Sequence, residues 1–348
     1  MKKIIPFFLV LLLMLGCENM LLGPNEDNPK SNFYALWKTL DQNYALFPVK
    51  KVNWDSLYVV HSNKITPNTS QEDLWDICSS LLKPLNDGHV VLFNKGITKA
   101  FFSTEVFNRP FGDFNPGLVT SKFLDNVQSA GDGMITYGEV KSDFTQIKIG
   151  YVNIINLGAS DKRQNWPTDM AKVLNDLFDS DALIIDLRNV GGGLKTNVPI
   201  FASYFVNREF TYFYQQEKIG PGHYDFGNPI PLSVSPAKDG PTFTKKIALL
   251  TNRFTASAGE HTSQIFKYLP YSIQIGDTTE GAFGDVVTRG EMPNGWTFLY
   301  PQRLTRTPEG FCPEGIGIAP AIYQENSVAD ADKGIDKVMN KAIEYLNK

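Results

Sequence analysis

Cysteine is scarce in this sequence, and positive charge is in the minority. Three cysteines occur among 348 residues, so the chain can form one intramolecular disulfide at most. Lysine and arginine total 33 against 37 aspartates and glutamates, a formal charge of −4, and no basic patch points to nucleic acid. No fixed repeat period occurs either, which excludes a repeat protein. We expect no nucleic-acid partner, no cofactor and no metal site.

Apolar residues, in contrast, are plentiful. Hydrophobic residues make up 42% of the chain and aromatic residues 12%. This composition is typical of a globular protein rather than a disordered one. A chain of this length can bury a sizeable core, and we expect it to divide into two units.

The one strongly apolar stretch that requires separate treatment is the N-terminus. Two lysines precede the apolar residues 4–15 and the pair Gly16-Cys17, a pattern typical of a secretory signal peptide and too short for a membrane-spanning helix. Residues 14–17 resemble the lipobox of bacterial lipoproteins, which implies cleavage before Cys17 and lipid attachment to its sulfur. We expect residues 1–16 to be the signal peptide and 17–30 a flexible tether to a lipid in the cell envelope, periplasmic or surface-exposed. A plain signal peptide with a chance cysteine is the alternative.

Helical periodicity predicts an N-terminal three-helix domain over residues 31–95. The third helix opens with Ser70 and Asp73 in an arrangement like a capping box. Cys78 lies on the apolar face of this helix, so a buried thiol is favoured over a disulfide with Cys312. Residues 96–145 are rich in Gly, Pro, Asn and Asp, and we interpret them as a connecting segment of loops and short strands. They are too few for a peptide-binding PDZ module.

Strand and helix patterns alternate over residues 146–348, which predicts an α/β layer with a largely parallel sheet. A hairpin is expected about Asn294-Gly295 and a last amphipathic helix over 333–347. The predicted strands are 147–157, 182–187 and 246–251, and the predicted helices are 166–178, 196–205 and 257–269.

The run Thr255-Ala-Ser-Ala-Gly-Glu260 places Ser257 at a strand-to-helix turn. Such a turn lifts a hydroxyl off the end of a sheet, and the first N–H groups of the helix are available to an anion. The small residues beside Ser257 would let a substrate backbone approach closely. Serine at a helix start is also ordinary capping chemistry, so the hexapeptide alone leaves both interpretations open.

A second turn supplies candidate oxyanion donors. The buried strand ending at Asp186 leads into Gly191-Gly192-Gly193, which exposes backbone N–H groups at the carboxyl edge of the sheet, where ligands bind in such folds. A phosphate cradle is disfavoured, because Leu194 stands where a P-loop needs glycine and the dinucleotide spacing is absent.

Four histidines compete for the role of general base. His89 follows the turn that begins at Asn86 and precedes a strand, which puts its imidazole on a loop. His261 lies one helical turn after Ser257 and would point less readily at the hydroxyl. His61 shares the apolar face of a helix and suits packing, whereas His223 is a loop residue that could line a substrate channel.

Glu314 is the candidate group that orients the base. It lies in a loop shaped by glycines and prolines, Pro313-Glu314-Gly315-Ile316-Gly317. A solvated loop acid is the alternative for Glu314.

Taken together, these motifs resemble the carboxyl-terminal processing and tricorn-core family of serine peptidases. The resemblance covers about residues 31–345, and it implies a ClpP/crotonase-like ββα core at 146–348. The motifs, in order, are Asp87-Gly-His89, Asp186-Leu-Arg-Asn-Val-Gly-Gly-Gly193, Thr255-Ala-Ser-Ala-Gly-Glu260 and Glu314-Gly-Ile-Gly-Ile318.

The family contains two branches with different catalytic residues, and the positions of the lysines in this sequence distinguish between them. One branch uses a Ser–Lys dyad whose lysine follows the serine helix, but no lysine occurs between Lys267 and Lys333 here. The tricorn-type branch uses a histidine and a glutamate, and His89 and Glu314 match those motif positions. Tricorn-type enzymes can carry a serine beside the histidine, and here the neighbour is Gly88.

The sequence therefore predicts a serine peptidase that acts on a peptide or protein through an acyl-enzyme. Ser257 would be the nucleophile, His89 the base and Glu314 the orienting acid, with the amides of Ala258, Gly192 and Gly193 as the oxyanion hole. The alternative is an inactive protein that binds a peptide or apolar ligand on this scaffold. An acyl-CoA enzyme of the crotonase type has less support, because it needs no such serine.

Overall fold

The computed structural model describes residues 26–106 and 112–348, and the chain divides into two compact units. Unit 1 comprises Met1–Thr104, Lys218–Phe226 and Val286–Gln302, and unit 2 comprises Glu105–Glu217, Gly227–Asp285 and Arg303–Lys348. The signal peptide and Cys17 lie outside the described residues, and the boundaries at 95 and 145 stay a prediction.

The regular elements follow one another along the chain as helices and strands of modest length. The helices are α1 (Pro29–Asn43), α2 (Trp54–Ser62), α3 (Gln71–Leu82), α4 (Pro116–Leu118), α5 (Met170–Asp176), α6 (Asn197–Ala202), α7 (Ala258–Lys267), α8 (Val328–Asp332) and α9 (Lys337–Leu346). The strands are β1 (Val91–Phe93), β2 (Ala100–Phe102), β3 (Leu124–Ala130), β4 (Ile135–Val140), β5 (Ile149–Ile154), β6 (Ala182–Asp186), β7 (Phe210–Glu217), β8 (Ile230–Val234), β9 (Lys246–Thr251), β10 (Ser272–Gly276), β11 (Asp285–Glu291), β12 (Thr297–Arg306) and β13 (Ile322–Tyr323).

The three N-terminal helices are present as predicted, and each begins at a side-chain cap. Asn28 caps α1 and Asn53 caps α2 through their side-chain oxygens. Ser70 accepts a hydrogen bond from the amide of Asp73 at 3.1 Å, which satisfies one of the free N–H groups at the start of α3. The apolar face of α3 is buried, and burial raises the pKa of the Cys78 thiol to about 12.

Unit 1 also contains a small antiparallel sheet. Strand β1 pairs with β2 and with β12, so that Val91 lies between Phe102 and Leu299. The expected hairpin joins β11 to β12, and Gly295 adopts φ +79° in its turn, a conformation that glycine reaches without steric cost.

Unit 2 contains a seven-stranded sheet in the order β13-β10-β9-β6-β5-β4-β3. Neighbouring strands from β5 to β13 run parallel, whereas β3 and β4 are antiparallel. The predicted α/β class is therefore confirmed. Strands β3 and β4 lie in the segment that we interpreted as a connection. Strand β3 is an edge strand with only its two end residues buried, so it lacks the apolar alternation that identifies a half-buried strand.

Both faces of this sheet are covered, as a parallel sheet requires. Along β9, Ile247 and Leu249 face one core together with Phe201 and Phe266 from the helices. Ala248 and the other alternate residues of β9 face a second core under the amphipathic helix α9. This arrangement fixes the carboxyl ends of β6 and β9 side by side, because these two strands are direct neighbours.

A buried ion cluster joins the end of β6 to the start of α9. Arg188 donates to Asp186 at 2.6 Å and to Asp336 at 2.9 Å, and Asp336 also caps α9 through the amide of Met339. Asp186 and Arg188 thus have structural partners at the base of the glycine turn. In the described part of the chain, no helix has the length and apolarity to cross a bilayer.

Candidate active site

Ser257 lies in a sharp turn between β9 and α7. Its backbone has φ +51° and ψ −116°, a left-handed conformation that costs a non-glycine residue about 1–3 kcal/mol. Of residues 247–266, every one except Ser257 is buried. The turn therefore holds one reachable hydroxyl at the end of an otherwise buried strand and helix, as a nucleophile elbow does.

Hydrogen bonds hold this turn against the neighbouring turn that follows β6. The amide of Ala256 donates to the carbonyl of Val190 at 2.9 Å. The side chain of Asn252 donates to that of Asn189 at 2.7 Å and accepts from the Asn189 amide at 3.0 Å. A Cβ on Gly259 would lie 2.8 Å from the Val190 carbonyl oxygen. Gly259 thus serves the packing of the two turns, rather than the approach of a substrate backbone that the sequence suggested.

The glycine turn lies directly beside the serine. A Cβ on Gly192 would lie 3.0 Å from Ser257 Cβ, and one on Gly193 would lie 2.0 Å from the carbonyl carbon of Leu157. Both glycines have positive φ, +129° and +144°, so both positions require glycine. Within residues 26–106 and 112–348, the amides of Gly193 and Ala258 donate to no acceptor, and both are available to an oxyanion.

A cavity of 60 Å³ lies against the serine. The serine turn, the glycine turn and residues 282–285 all contribute to its lining. The lining residues are Gly193, Lys195, Ser257, Ala258, His261, Ala282, Phe283, Gly284 and Asp285.

Glu314 is buried and binds the backbone of two residues that line this cavity. Its Oε2 atom accepts hydrogen bonds from the amides of Phe283 and Gly284, at 2.8 Å and 3.0 Å. Glu314 is only 6% exposed, so the interpretation as a solvated loop acid is wrong. Its carboxylate fixes the backbone of residues 283–284 in the cavity lining.

His89 lies in unit 1, at the end of a turn that a buried carboxylate shapes. Asn86 adopts φ +42°, and Asp87 accepts a hydrogen bond from the His89 amide at 2.8 Å. The hydroxyl of Tyr44, the residue that follows α1, donates to the other oxygen of Asp87 at 2.8 Å. Nδ1 of His89 is buried and has no hydrogen-bond partner among the described residues, a situation that calls for a functional explanation.

The other three histidines have different surroundings. His61 is buried on α2, as its apolar position predicts. His223 lies 3.0 Å from Asp41 and stacks on Phe47 with ring centroids 4.3 Å apart. His261 borders the same cavity as Ser257, and its ring packs 5.0 Å from that of Phe213.

Two further residues near the serine were not identified as site residues from the sequence. Lys195 borders the cavity, donates to Gln215 and forms an ion pair with Asp285 at 2.7 Å. Glu260 accepts a hydrogen bond from the Ser257 amide at 3.1 Å. The spacing Ser-x-x-Glu, typical of a capping box, is the sequence signal that could have found it.

Comparison with known proteins agrees with this architecture. The sequence profile of Peptidase family S41 matches residues 148–324. The profile of the Tricorn protease C1 domain matches residues 25–83, which include the three N-terminal helices. The S41 match spans more than half of the chain.

Solved structures share the fold over nearly the whole chain. A candidate peptidase from Parabacteroides merdae ATCC 43184 is 26% identical, with a TM-score of 0.81, over 93% of this chain and 98% of its own. Mature CPAF complexed with lactacystin is 13% identical, with a TM-score of 0.68, over 92% of this chain and 97% of its own. The photosystem II D1 C-terminal processing protease is 13% identical, with a TM-score of 0.52, over 92% of this chain and 97% of its own. The chain therefore belongs to Peptidase family S41, and it is a serine peptidase.

Proposed function

We propose that the peptidase uses Ser257 as its nucleophile and forms an acyl-enzyme on it. The observation that carries this proposal is the partial exposure of Ser257 in a strained turn whose flanking residues are all buried. The neighbouring amides of Gly193 and Ala258 have no other acceptor among the described residues, and oxyanion donors of this kind are worth about 3 kcal/mol each in comparable sites.

In the proposed mechanism, His89 removes the proton from Ser257 Oγ as the oxygen attacks the peptide carbonyl carbon. The amides of Gly192, Gly193 and Ala258 stabilise the tetrahedral oxyanion. The protonated His89 then donates to the leaving amine, and a water molecule hydrolyses the acyl-enzyme by the reverse sequence. Glu314 is the acid that orients the His89 base, and it also fixes the loop through the amides of Phe283 and Gly284.

His89 is preferred to His261 as the base because of its local setting. Asp87 accepts a hydrogen bond from the His89 amide and fixes the backbone that carries the His89 ring. The His261 ring is instead packed among the rings of Tyr212, Phe213 and Phe283, a setting that suits a cavity wall.

A peptide-hydrolysis assay tests these assignments. We expect Ser257→Ala and His89→Ala each to lower kcat by at least about 10³-fold. The His261→Ala enzyme should keep the wild-type dependence of kcat on pH, because His89 still accepts the proton. Ser263→Ala is the matched control, because Ser263 is a buried hydroxyl on the same helix that donates only to the carbonyl of Gly259. Full activity of the Ser257→Ala protein would contradict the assignment of Ser257 as the nucleophile. If the fall in activity at low pH disappeared in His261→Ala and in no other variant, His261 would be the general base instead of His89.

We also propose that the protein is held in the cell envelope by a lipid on Cys17, where it meets peptide or protein substrates. The sequence of residues 14–17 supports this proposal. Cys17→Ser should move the protein from the detergent-rich to the aqueous phase in a Triton X-114 partition. Retention in the detergent phase would exclude the lipid as the anchor.

A further inference from the structure

Four successive backbone amides, those of residues 281–284, donate to two buried carboxylates. The amides of Gly281 and Ala282 donate to Glu260 at 2.7 Å and 2.8 Å. The next two amides, of Phe283 and Gly284, donate to Glu314. Residues 282–284 of this segment line the same cavity as Ser257, so their position affects the space beside the serine hydroxyl.

Glu260 also contacts the nucleophile itself. Its Oε2 atom accepts hydrogen bonds from both the Ser257 amide, at 3.1 Å, and the Ala282 amide. Its Oε1 atom accepts from the hydroxyl of Thr279 at 2.6 Å and from the Gly281 amide. A carboxylate offers about four lone-pair positions to hydrogen-bond donors. Glu260 is fully buried and accepts from four donors, so all four positions are occupied.

We propose that Glu260 is a positioning residue that ties the backbone of Ser257 to residues 281–282 in the wall of the same cavity. One carboxylate thereby sets the distance between the backbone of the nucleophile and this segment. The inference rests on the proposed function only in taking Ser257 as the nucleophile.

The geometry explains why a carboxylate is needed at this position. All four partners of Glu260 are donors, so each of its oxygens must accept twice. A glutamine side chain of the same length carries one acceptor oxygen, and its NH2 group would face two donors. The left-handed backbone of Ser257 also needs such fixation, because strained conformations persist only where the surroundings over-determine them.

The direct test is the kinetics of Glu260→Gln on a peptide substrate. We expect kcat to fall about 100-fold, as for a displacement of reacting groups by roughly 1 Å, with KM unchanged. The rate of inactivation by a fluorophosphonate should fall in parallel. A purely structural role would instead lower the fraction of folded enzyme and leave the kcat of that fraction unchanged, once active sites are titrated.

A second variant keeps the test decisive if Glu260→Gln fails to fold. Thr279→Val removes one donor to Glu260 with little change of shape, and we expect a 5- to 10-fold loss of kcat, roughly that of one hydrogen bond. Ser263→Ala is the control with unchanged kcat. If the wild-type enzyme reacts with the fluorophosphonate but Thr279→Val keeps full kcat per titrated site, the positioning role is wrong and the nucleophile stands. If the wild-type enzyme does not react, the proposed function itself fails.

Discussion

At the scale of single residues, the active site depends on backbone conformations that side chains ordinarily avoid. Ser257 and Asn189 both have positive φ, +51° and +62°, and each lies in one of the two turns at the carboxyl edge of the sheet. The sequence predicts the place of Ser257, because strand and helix patterns meet there. It does not predict the sign of φ, because the turn is also held by a contact with Val190, which is distant in sequence.

The two adjacent glycines 191 and 192 provide a residue-scale prediction. A methyl group at Gly192 would press against Ser257 Cβ at 3.0 Å and would require φ near +129° with a side chain. A methyl group at Gly191 would meet no atom within 4 Å. We expect Gly192→Ala to lower kcat/KM by about 10²- to 10³-fold and Gly191→Ala to leave it nearly unchanged. Equal losses in the two variants would show that this turn does not form the oxyanion site.

At the scale of elements, the sequence predicts those segments whose burial has a clear period. The start of helix α3 and both ends of strand β9 were expected within a residue of their observed positions, because the cap of the helix and the apolar run of the strand lie in the sequence itself. Strands β3 and β7 were not identified as such. The first is almost entirely exposed, and the second mixes buried and exposed residues without strict alternation, so tertiary pairing decides their structure.

We expect His61 on helix α2 to contribute to the loss of stability in acid. Burial, and then the charge of Lys64, lower the pKa of His61 below its ordinary value. The unfolded chain therefore binds a proton more readily than the folded one, so stability is lost as pH falls below about 6.5. We expect His61→Leu to lower the midpoint pH of acid unfolding, followed by circular dichroism. An unchanged midpoint would mean that other groups control the acid transition.

In the molecule as a whole, helix α9 packs against the seven-stranded sheet of unit 2. Helix α9 covers one face of the seven-stranded sheet, and its first turn is held by Asp336, the partner of Arg188. The sequence shows the amphipathic helix but not this pairing, because Arg188 and Asp336 are far apart in the chain and their contact is set by the sheet. The contact between Glu260 and residues 281–282 cannot be predicted from the sequence either, because no local pattern indicates it.

Arg188 offers the corresponding test of stability. Arg188→Met would leave Asp186 and Asp336 buried without their cation, and breaking a buried pair costs about 3–5 kcal/mol. We expect that loss in the free energy of unfolding in urea. Lys341→Met, which removes an exposed partner of Glu344 on α9, is the control with little change. A loss below about 1 kcal/mol for Arg188→Met would contradict the structural role of the cluster.

Peptide mapping of a fluorophosphonate adduct by mass spectrometry distinguishes Ser257 from every other candidate nucleophile of this S41 peptidase. We expect the phosphonyl mass on the peptide that contains Ser257, at one adduct per chain, and no adduct on the Ser257→Ala protein. An adduct on another residue, or labelling that survives Ser257→Ala, would contradict the account.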